Sequence, residues 1–318
     1  MNKIILFLLC FLLGSSFSTF AQGRDREIKI SRQQESPVKT VKVRGKGKIK
    51  NVVFMIGDGM SLAHMYSTWA ANKGKLNLEN CQTVGLAKTY CCDRLITDSG
   101  AAGTALATGH KTRYHAVGVD PEGKPLLTLT DLAAAKSKST GVVVTCRLND
   151  ATPAAFCAHN SDRDQAEELI ADYAGCGVDF IFGGGKRYFC ERKDGRNILE
   201  EMKALGYQTP ENQEQLDAIQ TGKVLAVWAD HDLPRPSVRK EMLTESTMKA
   251  LELLSQNKKG FFLMVEASQI DDYGHANQLD PLVEEILDFD RTIGKVFEWA
   301  AADGETLVVV TADHETGG

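Results

Sequence analysis

The stretch NVVFMIGD, residues 51–58, combines β-branched and aromatic residues with little polar alternation and ends in an aspartate. Strands that are buried on both faces of a parallel sheet have this pattern. Three further runs share it, namely GVVVTCRLND (141–150), GFFLMVEASQID (260–271) and TLVVVTADH (306–314). We therefore predict four strands in the core of one sheet.

Helical patterns lie between these apolar runs. They cover residues 126–138, 163–174 and 282–302. Alternation of strands with helices predicts an α/β fold, with a central, mostly parallel sheet and helices on both faces. A chain of 318 residues is long enough for one large domain of this kind or for two smaller ones.

Each predicted strand brings an acidic residue to its carboxyl end. The acids are Asp58, Asp150, Glu266, Asp271 and Asp313. Ligand sites of open α/β sheets lie outside the carboxyl ends of the strands. One acid at such a place is commonly a helix cap, but a cluster of carboxylates cannot ionise together near neutral pH without cations. The sequence therefore predicts a site for divalent metal ions.

The residue types around these acids indicate the metals. Asp271 and His275 are four positions apart, on one face of a helix, and His314 directly follows Asp313. Mixed histidine and carboxylate ligands suit Zn²⁺, and an all-oxygen set suits Mg²⁺. The alternative for each histidine, taken alone, is a buried structural role. The all-oxygen set consists of Asp58, Asp150, Thr152 and Glu266.

The stretch TDSGAAGTALATG, residues 97–109, allows two interpretations of Ser99. A serine before small residues is a good helix N-cap. However, Gly100 and Gly103 fall in the first turn, where glycine costs about 1 kcal/mol relative to alanine, and small residues there suit a close approach by another group. The stretch matches neither the G-x-S-x-G elbow nor the P-loop. The residues alone leave Ser99 as either a cap or a nucleophile.

The composition fits an ordinary globular protein, with 43% hydrophobic and 25% charged residues. A net charge of −5 gives no electrostatic footprint for nucleic acid. Lys3, the apolar run 4–13 and the small residues before Gln22 predict a secretory signal, residues 1–21, cut after Ala21. That run is too short to span a bilayer, and the alternative is a lipid anchor on Cys10. We expect export to the periplasm or the extracellular space, without a stable membrane span.

The remaining chain divides into a polar, basic segment at residues 22–48, predicted as a flexible arm, and an α/β domain at residues 49–318. Without Cys10 the chain has seven cysteines, so at least one is unpaired in an oxidising compartment. Cys176 and Cys190 are candidates for a short-loop disulfide.

With these residues assembled, the chain resembles the alkaline phosphatases from about Lys50 to Gly318. The resemblance depends on several motifs in the family's order: GDGM, TDSGAAGTALATG, DATPAAFCAH, FGGGKRYF, VEASQIDDYGHA and TADHETGG. Together they are highly specific, although each alone is weak. The resemblance implies that the chain has the family's α/β fold and hydrolyses phosphate monoesters, with two zinc ions, one magnesium ion and a homodimeric assembly.

The resemblance also implies roles for individual residues. Ser99 is the nucleophile that forms a phosphoserine, in addition to capping its helix, and Arg163 binds the phosphate oxygens. The small residues after Ser99 then let the helix N-terminus approach the phosphate. The implied ligands are Asp58, Asp313 and His314 for one zinc, Asp271 and His275 for the second, and Asp58, Asp150, Thr152 and Glu266 for magnesium.

The chain departs from the family's pattern in two places. Asp272 stands where the family often has Lys, His or Trp, and its negative charge is expected to weaken phosphate binding or to alter the magnesium site. The family takes a further histidine for the second zinc from beyond the position of Gly318, and His231 is the only other histidine that we consider in its place. We expect the sequence to be part of a longer enzyme and, as given, to hold its second zinc weakly and to turn over slowly.

Two other classes of function stay open. A metal-dependent esterase could act on phosphodiesters or sulfate esters, although the C/S-x-P-x-R pattern of sulfatases is missing around Ser99. A catalytically impaired metal-binding homologue is the other alternative. Intact Ser99 and Arg163 argue against it, and the incomplete ligand set of the second zinc argues for it.

Overall fold

The protein is described by a computed structural model that covers residues 36–42, 45 and 47–317. The predicted signal segment, residues 1–21, and most of the predicted arm lie outside the described residues. No helix of the described part is both long enough and apolar enough to cross a bilayer.

A seven-stranded sheet forms the centre of the fold, in the spatial order β4-β5-β3-β2-β6-β1-β7. All of its strand pairs are parallel. The predicted fold class is confirmed. The strands are β1 (Asn51–Gly57), β2 (Ser139–Arg147), β3 (Phe180–Gly184), β4 (Tyr207–Gln208), β5 (Lys223–Val227), β6 (Phe261–Ala267) and β7 (Thr306–Ala312).

The four strands predicted from the sequence are neighbours in this sheet, in the order β2-β6-β1-β7. Their carboxyl ends therefore lie side by side along one edge. The predicted run 260–271 is too long, since β6 ends at Ala267 and a helix begins at Gln269. The turn between them is formed by Ser268, whose backbone N–H donates to the hydroxyl of Thr145 at 2.9 Å.

Twelve α-helices surround the sheet within the described residues, together with a 3₁₀ helix at Asn77–Asn80. The three predicted helices are present as α3, α5 and α12, with shifts of a few residues at their ends. The helices are α1 (Leu62–Ala71), α2 (Ser99–Thr108), α3 (Leu129–Ala135), α4 (Ala151–Ala154), α5 (Ala166–Cys176), α6 (Lys186–Cys190), α7 (Ile198–Ala204), α8 (Gln213–Ala218), α9 (Pro236–Arg239), α10 (Met242–Leu254), α11 (Gln269–His275) and α12 (Leu279–Asp303).

The strand β2 is buried on both faces, which accounts for its continuous apolar sequence. Val142 and Val144 point to a core shared with Phe156 and with Tyr173 of α5. Val143, between them, points to the opposite face because successive side chains of a strand alternate. All three valines are fully buried, so the sheet is covered on both faces at β2.

The described part of the predicted arm is bonded to the domain. The backbone N–H of Ser36 donates to the side chain of Asn72 at 2.9 Å. The backbone N–H groups of Lys39 and Val41 donate to Asn77 and Asn80 at 3.2 and 2.9 Å. Residues 36–41 therefore follow the end of α1 and the 3₁₀ helix, which the polar composition of the segment did not indicate.

The expected disulfide between Cys176 and Cys190 is wrong for this structure, in which both residues are free thiols. The Cys176 thiol donates to the carbonyl oxygen of Tyr173 at 3.3 Å, within its own helix α5. Cys190 is the last residue of α6. The two cysteines are thus the last residues of different helices. Their short spacing in the sequence was not sufficient to predict a disulfide.

Candidate active site

The predicted acids meet at the carboxyl edge of the four central strands. Asp58 follows β1, Asp313 follows β7, and Asp150 begins α4 just after β2. Glu266 lies inside β6, opposite Ile56 of β1 on one side and Val144 of β2 on the other. Parallel strands with adjacent ends therefore bring these carboxyl groups together, as the sequence predicted.

Ser99 is the first residue of α2, and its hydroxyl oxygen lies 3.1 Å from Nε2 of His314. That nitrogen is also 3.5 Å from Oδ1 of Asp58 and 3.3 Å from Oδ2 of Asp313. Asp313 is fixed by its other oxygen, which accepts the backbone N–H groups of Gly59 and His314 at 3.1 and 2.9 Å. The structure thus places the predicted nucleophile beside three predicted metal ligands.

The prediction that Ser99 caps its helix is wrong. The N-cap of α2 is Asp98, whose carboxylate accepts the backbone N–H groups of Gly100 and Ala101, both at 3.2 Å. Because Asp98 satisfies these N–H groups, the Ser99 hydroxyl is not needed for capping. Within the described part of the chain, the side chain of Ser99 instead contacts His314.

The small residues of α2 allow close packing against protein backbone. A Cβ atom added at Gly103 would lie 3.2 Å from Cα of Thr152 and 3.4 Å from Cβ of Ala155. One added at Gly100 would lie 3.1 Å from the carbonyl oxygen of Ala116. In the structure Gly103 brings α2 against α4, and Gly100 lies against the backbone at Ala116. The expected approach of the helix to a phosphate stays a prediction.

Three buried carboxylate oxygens of the site accept no hydrogen bond, namely Asp58 Oδ1, Glu266 Oε1 and Asp313 Oδ2. Nε2 of His314 lies near the first and the last of these, at 3.5 and 3.3 Å. Burial raises the pKa of the Asp58 carboxyl well above its ordinary value, and the charges of Asp313 and Glu266 raise it further. The pKa of Glu266 is raised in the same way, by burial and then by Asp150. Buried, unpaired carboxylates are costly unless a cation compensates them. The donor set therefore fits divalent metal ions.

Oxygen donors surround Asp58 on the side of α4. The hydroxyl of Thr152 donates to Oδ2 of Asp58 at 3.4 Å, and both side chains are buried. Glu266 is completely buried, and the Cys146 thiol lies 3.9 Å from its Oε2. Carboxylate and hydroxyl oxygens of this kind are the ligands that Mg²⁺ prefers.

Asp271 and His275 lie on α11, as the spacing of four residues predicted. Nε2 of His275 is 3.4 Å from Oδ2 of Asp271, but the His275 side chain is 72% exposed. Asp271 also accepts a hydrogen bond from the hydroxyl of Thr316. Ligand atoms of Asp58, Asp271 and His314 all lie within 4.8 Å of one another, close enough to bind one metal ion together. His275 is not part of that group.

Arg163 is held by two carboxylates. Its Nη1 donates to Oδ2 of Asp98 at 3.0 Å, and its Nη2 donates to Oδ1 of Asp150 at 3.0 Å. Burial alone would raise the pKa of Asp98, but hydrogen bonds from His115 and Ala101 and the ion pair with Arg163 lower it below its ordinary value. Asp98 is therefore ionised and orients the guanidinium. No role was predicted for Asp98 from the sequence.

Asp150 differs from the other predicted acids because each of its oxygens is paired with an arginine. Oδ1 accepts from Arg163 and from the backbone N–H of Ala151, and Oδ2 is paired with Nη2 of Arg147 at 3.1 Å. These contacts give Asp150 a place in an arginine network. Its assignment to a magnesium site stays a prediction.

Asp272, the residue that departs from the family's pattern, lies at the exposed side of this network. Partial burial raises the pKa of its carboxyl to about 6, together with the charges of Asp232, Asp150 and Asp271. Arg147 has the opposite effect on this pKa. The negative charge expected at this position is thus partly offset by an arginine that we did not single out from the sequence.

Comparison with known proteins relates both the sequence and the fold to one family. The sequence model of the family described as "Alkaline phosphatase" matches residues 49–318. Alkaline phosphatase 4 of Bacillus subtilis (strain 168) is 39% identical over 303 residues, which are 90% of this chain and 65% of that protein. The chain thus spans less than two thirds of the length of this relative. The repressible alkaline phosphatase of Saccharomyces cerevisiae is 35% identical over 317 residues, or 85% of this chain and 56% of that protein.

Solved structures agree with this relationship. The alkaline phosphatase from the Antarctic bacterium TAB5 superposes with a TM-score of 0.83 at 37% identity, covering 86% of this chain and 81% of that one. A variant of the TAB5 enzyme with a TM-score of 0.82 and 36% identity, covering 87% and 80% of the two chains, is described as having Mg bound in its M3 site.

Proposed function

This chain belongs to the alkaline phosphatase family, and from that membership we propose that it hydrolyses phosphate monoesters through a phosphoserine formed on Ser99. The observation that carries the proposal is the cluster of buried carboxylates with unpartnered oxygens beside the Ser99 hydroxyl. A phosphate dianion repels a nucleophile, so a site for its displacement needs concentrated positive charge. The buried carboxylates can bind the metal ions that provide this positive charge.

We propose that the site holds two zinc ions and one magnesium ion, and the buried carboxylates without hydrogen-bond partners support the binding of cations. When bound, such ions neutralise the acids, make a hydroxyl or a water molecule more acidic, and stabilise the charge on the oxygens of an in-line displacement. We assign Asp58, Asp313 and His314 to one zinc, Asp271 and His275 to the second, and Asp58, Asp150, Thr152 and Glu266 to magnesium.

Ser99 supplies the nucleophilic oxygen. Oγ forms a bond to phosphorus and loses its proton, while the bond from phosphorus to the alcohol oxygen breaks and that oxygen takes up a proton. A water oxygen then forms a bond to the same phosphorus and loses a proton, while the bond to Ser99 Oγ breaks and that oxygen takes up a proton. The net reaction consumes one water molecule and releases an alcohol and inorganic phosphate.

His314 links the hydroxyl to the metal ligands before substrate binds. Its Nε2 lies within hydrogen-bond distance of Ser99 Oγ. A ring nitrogen serves one partner at a time. If His314 held a cation through this nitrogen, the Ser99 hydroxyl would lose this hydrogen-bond partner and would be available to the substrate.

Arg163 binds the substrate's phosphate. Two of its five N–H donors are used by Asp98 and Asp150, which leaves donors for two non-bridging oxygens in the planar geometry that a guanidinium provides. The two carboxylates fix the plane of the group.

Export and assembly belong to the same proposal. The sequence pattern of residues 1–21 supports cleavage after Ala21 and release to the periplasm or the extracellular space. A homodimer is expected from the family. N-terminal sequencing of the mature protein and sedimentation equilibrium test these two statements.

The activity is tested with p-nitrophenyl phosphate in the presence of zinc and magnesium, beside bis-p-nitrophenyl phosphate. We expect the monoester to be hydrolysed much faster than the diester. Arg163→Ala should weaken inhibition by inorganic phosphate and lower kcat/KM while the zinc content is unchanged. Faster hydrolysis of the diester would replace the proposal by a phosphodiesterase, and bound zinc without any turnover would replace it by an inactive metal-binding homologue.

A further inference from the structure

Arg147 joins two carboxylates at the carboxyl edge of the sheet, beside the proposed phosphate site. Its Nη1 donates to both oxygens of Asp232, at 3.2 and 3.0 Å, and its Nη2 is 3.1 Å from Oδ2 of Asp150. The side chains of Arg147, Asp232 and Asp150 are 34%, 29% and 22% exposed. These ion pairs are thus partly shielded from water, which makes them stronger than pairs on an open surface.

The glycines of the FGGGKRYF motif explain how Asp232 reaches Arg147. A Cβ atom added at Gly184 would lie 2.0 Å from the carbonyl oxygen of His231, so only glycine permits this approach. The N–H of Gly185 donates to the same carbonyl oxygen at 2.9 Å. Asp232, the next residue, accepts the backbone N–H of Arg147 at 2.8 Å in addition to the guanidinium. The motif therefore fixes Asp232 against both the backbone and the side chain of Arg147.

Asp150 transmits this restraint to Arg163. Its Oδ2 faces Arg147, and its Oδ1 accepts from Nη2 of Arg163 at 3.0 Å and from the N–H of Ala151 at 2.7 Å. A carboxylate is planar and rigid, so its orientation is determined when both oxygens are bonded. A continuous chain of bonds thus runs from Asp232 through Arg147 and Asp150 to Arg163.

We propose that Arg147 is a positioning residue that acts through Asp150 to hold the Arg163 guanidinium in the orientation that binds phosphate. The proposal rests on the proposed function, in which Arg163 binds the phosphate oxygens. Arg147 also supplies a positive charge among Asp150, Asp232 and Asp272. Without it, Asp150 would pair with Arg163 alone, and the site would carry one more unit of uncompensated negative charge. Both effects weaken the binding of a phosphate anion.

The test measures the affinity of the zinc- and magnesium-loaded protein for inorganic phosphate by calorimetry, together with kcat and KM for p-nitrophenyl phosphate. We expect Arg147→Gln and Asp232→Asn each to raise the dissociation constant of phosphate about threefold to tenfold, the size of effect typical of a partly exposed charge network. KM should rise with it, and kcat should fall less than twofold. Arg147→Lys should not restore the affinity, because an ammonium group lacks the planar fork that joins two carboxylates.

A second experiment asks whether the effect of Arg147 on phosphate affinity requires Arg163. This separates a positioning role from a general effect on folding. In an Arg163→Ala background, Arg147→Gln should change phosphate affinity less than twofold. The control is Arg196→Gln, which breaks the exposed ion pair between Arg196 and Glu201 and should leave phosphate affinity unchanged. If Arg147→Gln does not fold, Asp232→Asn gives the same information with the arginine in place.

Two results would overturn the inference alone, with the proposed function intact. One is a parent protein that binds phosphate and an Arg147→Gln variant that binds it equally well. The other is an equal loss of affinity with and without Arg163. A parent protein that binds no phosphate would overturn the proposed function as well.

Discussion

Asp98 binds the guanidinium of Arg163 at 3.0 Å while its oxygens accept the first N–H groups of the helix that begins at Ser99. One carboxylate thus connects the proposed nucleophile to the proposed phosphate ligand. Because Asp98 directly precedes Ser99, the positions of the Ser99 hydroxyl and of the Arg163 guanidinium depend on each other.

Asp98→Asn separates the two roles of this carboxylate. Asparagine is as good an N-cap as aspartate, so the melting temperature should stay close to that of the parent. The neutral amide holds Arg163 less firmly, and the inhibition constant of inorganic phosphate should rise about threefold to tenfold. Asp98→Ala is the comparison and should in addition lose about 1 kcal/mol of stability. An Asp98→Asn variant with parental phosphate affinity would contradict this account.

A pair of glycine substitutions tests the packing that places Ser99. Gly103→Ala should destabilise the protein, because the added Cβ lies 3.2 Å from the backbone Cα of Thr152. The control is Gly175→Ala in α5, where an added Cβ meets nothing within 4 Å. It should stabilise the protein by about 0.5–1 kcal/mol, the difference in helix propensity. Denaturant unfolding measures both, and an equal gain in both variants would show that α2 and α4 are not tightly packed.

The raised pKa values of Asp58 and Glu266 predict how the metal-free protein responds to pH. A carboxyl group with a raised pKa stabilises the fold while it is protonated, below its unfolded pKa of about 4. This contribution is lost as the pH rises through the pKa of the folded state. The melting temperature of the metal-free protein should therefore fall as the pH rises above about 4. Zinc with magnesium should raise it more at the higher pH.

Glu266→Gln serves as the control for this experiment, because it keeps the shape of the side chain and removes one ionising group. Its metal-free form should lose less stability over the same pH range. A metal-free parent whose melting temperature rises with pH over this range would mean that the buried acids are compensated by groups of the protein itself.

Four neighbouring strands of the sheet could be predicted from the sequence, and the three strands at one side of the sheet could not. The runs that form β1, β2, β6 and β7 are long and continuously apolar, since these strands are adjacent and covered on both sides. The other three strands have two to five residues. β3 ends in two glycines of the FGGGKRYF motif. Such short segments have no periodicity that distinguishes a strand from a loop.

The same reasoning explains which site residues could be found. Acids at the ends of parallel strands converge by topology, so Asp58 and Asp313 were predictable. Asp98 and Arg147 act through partners 65 and 85 residues away, and no local pattern reports such a contact. The choice between Asp98 and Ser99 as the helix cap depended on a shift of one residue, which is within the uncertainty of any helix boundary.

The central claim, that Ser99 carries the phosphoryl group, is tested most directly by trapping it. The metal-loaded protein is mixed with radiolabelled inorganic phosphate or with substrate at mildly acidic pH, quenched in acid, digested and analysed by mass spectrometry. We expect a single phosphorylated peptide, modified at Ser99, and no label in Ser99→Ala even though that variant still binds zinc. Turnover of the parent without a phosphorylated peptide, or with the phosphoryl group on another residue, would contradict the account.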